Sequence, residues 1–188
     1  NLLNFYIIQK IFFKLFSFFF GESYALAFIY KVQLGKNCRL NNNNYGSEPY
    51  LISFGDYVSA INVDFITHDG AVWIWRREQP KIEYFKSINI GSNVFIGTKA
   101  LILPGSNIGS NVIIGAGSVV KGKIQSGYVY AGVPAKRLST IDDYFKKNKE
   151  NFTRTKLMPY EKKREFLLNF FKKRYYPIKN MNSKKNKS

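Results

Sequence analysis

Residues 90–125 read, in sixes, IGSNVF, IGTKAL, ILPGSN, IGSNVI, IGAGSV and VKGKIQ. The first position is Ile90, Ile96, Ile102, Ile108, Ile114 and Val120, aliphatic every time. The fifth is Val94, Ala100, Ser106, Val112, Ser118 and Ile124, small or aliphatic. Glycine follows the lead residue at Gly91, Gly97, Gly109 and Gly115. A period of six matches neither the 3.6-residue helix nor the alternation of a simple strand. Repeated hexads point instead to a parallel β-helix, each supplying one short strand and one turn. The lead aliphatic then faces inward and the next coil lies roughly 4.8 Å above it. Glycine and Asn at the corners supply backbone conformations that β-branched residues resist. Burying each lead residue stabilises the stack by about 1.5–3 kcal/mol before conformational entropy is charged.

The pattern weakens upstream but persists. Leu34-Gly35 opens one hexad, Leu40 the next, and Phe54-Gly55-Asp56-Tyr57-Val58-Ser59 is a third. Counting on from Phe54 predicts Ala60 and Ile66 as inward positions, yet Val63 and Phe65 have the inward character. One residue is therefore missing from a coil near 60–63, just before His68. Between His68 and Ser87 the period disappears, so DGAVWIWRREQPKIEYFKS at 69–87 reads as a loop projecting from a coil, where function collects.

The 188 residues allow one domain with appendages, and 45% hydrophobic content suffices for a core. Cys38 is the sole cysteine, which excludes an internal disulfide and a thiolate zinc cluster. His68 is the sole histidine, which excludes chemistry needing two imidazoles from one chain. The net charge of +17 is concentrated in residues 137–188, with 16 basic and five acidic side chains. Such a tail suits an anionic membrane leaflet or nucleic acid, or is simply solvated. No groove-reading motif accompanies it, so no nucleic-acid partner is expected. Residues 1–30 read as an apolar, aromatic helical segment. Lys10 and Lys14 in NLLNFYIIQKIFFKLFSFFF disfavour a spanning helix and suit one lying in the membrane interface, while packing on the protein is the other reading, favoured for 22–32. No signal-peptide pattern is apparent. Residues 139–179 return to a basic, amphipathic helical texture, and 180–188 have the composition of a disordered end.

Three stretches together resemble the hexapeptide-repeat acyltransferases, in the branch of galactoside, maltose and polysaccharide O-acetyltransferases. They are IGSNVFIGTKALILPGSNIGSNVIIGAGSVV at 90–120, YAGVPAKRL at 130–138 and FITHDG at 65–70, within a similarity spanning roughly 31–140. The resemblance implies an all-β, left-handed parallel β-helix over 31–138, against the usual right-handed crossover preference, with helical appendages at both ends. It also implies a homotrimer with acetyl-coenzyme A between neighbouring prisms, no metal, and a sugar or surface-glycan acceptor. The expected location is cytoplasmic, with peripheral attachment at the inner face of the membrane as a further possibility.

Acetyl transfer to an alcohol needs a base within hydrogen-bond reach of the hydroxyl, and imidazole, titrating near pH 6.5, suits that role. His68 stands where the family's catalytic histidine does. Its second nitrogen needs an acceptor. Asp69 is adjacent but diverges along a strand and suits a turn before Gly70; a backbone carbonyl, Glu48 or Asp64 are the other candidates. A backbone N–H near Gly97 or Gly115 would stabilise the oxyanion. By the resemblance, coenzyme contacts fall on Phe95 as an aromatic lid, Thr98, Ala116, Lys121 and Lys136. The family's Thr-Lys pair reads Lys121-Gly122 here, so Lys123 is a substitute for its charge. Asn43, Glu48 and Tyr50 align with the acceptor-binding segment. Trp73, Trp75 and Arg76 in the loop either stack on a pyranose and hold an acidic sugar or pin the loop to the neighbouring prism. The resulting expectation is an acetyl-coenzyme A-dependent O-acetyltransferase using direct transfer. N-acetylation of a nucleotide-linked amino sugar, or a non-enzymatic trimeric scaffold binding metal between subunits, are the alternatives.

Overall fold

A computed structural model describes residues 2–175, so the 180–188 end expected to be disordered lies outside the described residues. The coil has three faces, each a stack of short parallel strands. The first stacks β1 (Gln33–Leu34), β3 (Ile52–Phe54), β6 (Ile88–Ile90), β9 (Asn107–Ile108) and β12 (Lys123–Ile124). The second stacks β2 (Arg39–Asn41), β4 (Val58–Ile61), β7 (Val94–Ile96), β10 (Val112–Ile114) and β13 (Tyr128–Ala131), and ends in the antiparallel β14 (Lys136–Thr140). The third stacks β5 (Asp64–Phe65), β8 (Leu101–Ile102) and β11 (Val119–Val120). Every lead and fifth position of the six hexads is buried, as the period requires.

Register explains where the sequence frame holds and where it slips. Ile90 lies under Ile108 and Ile96 under Ile114, so a regular turn takes 18 residues. Ala60 pairs with Ile96, an offset of 36, whereas Phe65 pairs with Ile102, an offset of 37. One residue is therefore missing from the corner between them, where Asn62 takes a φ of +57°. The last turn departs from the hexad count. Ile124 stacks on Ile108 and Tyr130 on Ile114, so this turn is two residues short and Ile124 fills a lead site rather than a fifth. Corner residues divide into two kinds. Tyr57, Asn93 and Asn111 occupy the left-handed region at successive turns, as do Asn62, Lys99 and Gly117 at another corner. The glycines after the lead residues answer a different need. A Cβ on Gly91 or Gly97 would lie within 3 Å of the coil above, so they permit contact rather than a turn.

Helix α1 (Leu2–Phe20) ends at Gly21 (φ +87°), where α2 (Glu22–Ile29) begins. Helix α2 buries Ala25 and Leu26 against the first turn of the coil. Glu22 fastens it there: its carboxylate accepts from the Asn42 and Asn43 N–H groups and from the Tyr45 hydroxyl at 2.7 Å. Burial, then the Glu22 charge, drives the Tyr45 phenol far above its ordinary pKa. Helix α1 rests on α2 through Phe13 against Tyr30 and Phe16 stacked on Phe28. Its other side leaves Ile7, Ile8, Ile11, Leu15, Phe18 and Phe19 exposed.

At the far end β14 runs back along β13 to Thr140, two residues past the boundary expected at 138. Thr140 then caps α3 (Ile141–Asn148), accepting from the Asp143 N–H at 3.0 Å. From Asn148 onward the described residues form a second compact unit, which holds α4 (Tyr160–Tyr175). Phe166, Leu167, Leu168, Phe170 and Phe171 are spread around α4.

Candidate active site

The loop leaves and rejoins the coil through a closed neck. His68 bridges Phe85 in antiparallel fashion, the Asp69 N–H donates to the Tyr84 carbonyl at 3.0 Å, and the Lys86 N–H donates to the Thr67 carbonyl at 2.8 Å. Position 68 is thereby fixed by β5 below and by the returning strand beside it. Thr67 points into the core, fully buried, so strand alternation turns His68 outward.

Glu48 lies one turn away from this neck at the same corner of the coil, and His68 Nδ1 stands 3.3 Å from its Oε2. The Thr67 hydroxyl donates to that same oxygen at 3.1 Å, which holds the carboxylate in place. The other candidates for orienting the imidazole are engaged elsewhere. Asp69 caps the 3-10 helix Gly70–Trp75 by accepting from the Ala71 N–H, and Asp64 accepts from the Asn44 amide. A pocket of about 150 Å³ opens on His68, walled by Glu48, Val72, Arg76, Glu83, Tyr84 and Phe85 among others. With Nδ1 facing Glu48, Nε2 is the nitrogen left for chemistry.

Among the expected acceptor contacts, Glu48 and Arg76 line the pocket and Asn43, Tyr50 and Trp73 do not. Asn43 is a structural latch: its amide donates to the Ala60 carbonyl at 2.9 Å and accepts from the Val63 N–H at 2.9 Å. Its amide is thereby engaged with the neighbouring turn and lies outside the His68 pocket. Tyr50 and Trp73 are both exposed, the latter at 76%. Glu48, expected either to bind sugar or to orient the imidazole, has Thr67 and His68 as its neighbours. Tyr84 and Phe85 were not singled out from sequence, although aromatic residues before the returning strand were a readable signal.

The expected coenzyme contacts lie elsewhere on the prism. Thr98 and Ala116 are exposed on successive turns at the corner between the second and third faces. Phe95 projects outward from the second face, 46% exposed, and Lys136 lies at its upper end on β14. Lys121 falls at the corner between the third and first faces, the corner His68 occupies two turns lower. One chain therefore does not bring its His68 to its own Thr98 and Ala116. Among the described residues no group of three His, Cys, Asp or Glu side chains gathers to hold a metal ion.

A three-faced parallel coil with an imidazole at the neck of a projecting loop defines a β-helical protein with one candidate site. The repeat profile "Bacterial transferase hexapeptide (six repeats)" matches residues 87–122. Protein CapG of Staphylococcus aureus is 45% identical over 149 residues, which is 77% of this chain and 87% of that protein. Galactoside O-acetyltransferase of Escherichia coli is 36% identical over 121 residues, covering 61% of this chain and 59% of that one. Among solved structures, a galactoside acetyltransferase in complex with coenzyme A superposes with a TM-score of 0.56 at 25% identity, over 75% of this chain and 84% of that chain. The chain belongs to the hexapeptide-repeat acyltransferases.

Proposed function

We propose that this protein transfers acetyl from acetyl-coenzyme A to a hydroxyl of a sugar in a surface polysaccharide, with His68 as general base. The observation that carries the reading is the outward imidazole, with Nδ1 set against Glu48 and Nε2 left toward the loop-walled pocket. Nε2 takes the acceptor hydroxyl's proton as its oxygen attacks the thioester carbonyl. The thiolate leaves as the acyl ester forms and takes that proton back, so no covalent acetyl-enzyme is needed. Similarity to galactoside acetyltransferase, in sequence and in structure, supports sugar as the acceptor class, and the coenzyme A complex supports the donor. The separation of His68 from Thr98, Ala116 and Lys136 within one chain supports a homotrimer, in which one copy's corner completes another's site. Family membership likewise supports a left-handed coil. His68→Ala is expected to lower acetyl transfer by about two to four orders of magnitude with coenzyme binding retained. Turnover at the wild-type rate in that variant would remove His68 from the mechanism.

A cytoplasmic enzyme held at a membrane surface is the second part of the reading. No described helix is long and apolar enough to cross a membrane. Helix α1 carries an exposed stripe of Ile7, Ile8, Ile11, Leu15 and Phe18 with Lys10 and Lys14 along one flank, the arrangement of an interfacial helix on anionic lipid. The protein is expected to float with phosphatidylglycerol vesicles at low salt, and Ile11→Asp together with Leu15→Asp is expected to leave it at the bottom of the gradient. Flotation unchanged by that pair would refute attachment through α1.

A further inference from the structure

Arg76 is the pocket's anomaly. Its Nε is sealed from solvent and has no hydrogen-bond partner, the sole buried side-chain nitrogen or oxygen so placed among the described residues. The side chain is not adrift, because Arg76 closes the 3-10 helix of the loop and its backbone N–H donates to the Trp73 carbonyl at 3.1 Å. Three carboxylates border the pocket, yet among the described residues none lies within 4 Å of the guanidinium. Glu48 faces Thr67 and His68, Asp69 faces the Ala71 N–H, and Glu83 is exposed on the returning arm of the loop. A guanidinium N–H withdrawn from water without an acceptor costs stability, and a guanidinium with no carboxylate partner keeps its charge for an anion that enters the pocket.

We propose that Arg76 is a specificity determinant that binds an oxyanion carried by the acceptor sugar, a carboxylate or a phosphate, while the reacting hydroxyl of the same sugar meets Nε2 of His68. The inference rests on the acetyl-transfer reading and narrows its acceptor to acidic sugars. Guanidinium presents N–H donors in a planar fork, so a carboxylate or phosphate entering the pocket that Arg76 lines can take parallel bonds from it. Both groups wall one cavity of about 150 Å³, which confines the reacting end of a sugar and sets its orientation. A site built to bond a charged group rejects the analogue that lacks it, because the buried donor is then left unmatched.

The experiment compares acceptors that differ only in charge. Methyl glycosides of galacturonic, glucuronic and mannuronic acids are set against those of galactose, glucose and mannose, with the corresponding 6-phosphates as a third arm. Thiol release from acetyl-coenzyme A is the readout. Wild-type protein is expected to favour at least one charged series over its neutral parent by about 10- to 100-fold in kcat/KM. The carboxylate and phosphate arms identify the source of the anion. Arg76→Gln is expected to bring that ratio close to one, mostly through KM for the charged acceptor, and Arg76→Lys to restore part of it. Equal use of charged and neutral sugars by the wild type, or a ratio unmoved in both variants, overturns the proposal. Movement of the Arg76 Nε–H resonance in 15N spectra on adding the acidic glycosides gives a reading independent of turnover. A shifted resonance with no thiol release from any sugar would refute acetyl transfer and leave the oxyanion site standing. Turnover with an unmoved resonance would refute the oxyanion site alone.

Discussion

Glu48 illustrates how one side chain acquires a role from its neighbours. Its Oε2 is shared between a buried threonine hydroxyl and the imidazole, so the carboxylate is fixed from one side and acts on His68 from the other. In the proposed reaction it would touch no reacting atom and would act as a positioning residue. Removing it would let the ring turn and would leave the imidazolium formed during transfer without its counter-charge. Glu48→Ala is accordingly expected to lower kcat by about 10- to 100-fold with KM for acetyl-coenzyme A little changed. Glu48→Gln, whose carbonyl can still accept from Nδ1, is expected to recover part of the loss. Equal losses in both variants, or a change confined to KM, would point away from positioning. This pairing was only one of several options in the sequence, because residues 48 and 68 meet through a full turn of the coil rather than through spacing along it. The same holds for Asn43, whose saturated amide depends on Ala60 and Val63 from the next turn.

Among the elements, the hexads were legible because burial repeats with the coil. Ile90, Ile96, Ile102, Ile108 and Ile114 all face inward, and the missing residue near Asn62 showed itself through the character of Val63 and Phe65. The shortened last turn was not legible. Ile124 is apolar and buried under either register, so its move from a fifth to a lead site changes no pattern in the sequence. Glycines that look alike in the sequence also separate by cause. A Cβ at Gly97 would strike the backbone of Ala116 one turn above, whereas Gly117 has nothing within 4 Å and is defined by its φ of +68°. Gly97→Ala is expected to destabilise the coil by about 1–3 kcal/mol. Gly117→Asn is expected to stay within about 0.5 kcal/mol, since Asn62 already adopts that conformation two turns below. Urea midpoints of the two variants test the distinction, and a reversed order would refute it.

At the scale of the whole molecule, the separation of candidate groups around the prism has a measurable consequence. Ala116→Trp would obstruct the corner proposed for the coenzyme, and His68→Ala would remove the base. Each variant alone is expected to be inactive. Unfolded and refolded together in equal amounts, they are expected to regain about one quarter of wild-type activity, the share of sites in a random trimer that draw an intact group from each of two copies. No recovery would mean that one chain supplies both groups.

Parallel stacking also raises the question of where such a molecule stops. Each turn offers the next one its unpaired amides and carbonyls, and nothing in the hexad repeat itself limits the number of turns. The answer lies in the two unlike closures: α2, clasped by Glu22 across the first turn, and β14, which doubles back along β13. They act as end-stops against open-ended fibre growth, so the length of this enzyme is set by its least repetitive residues.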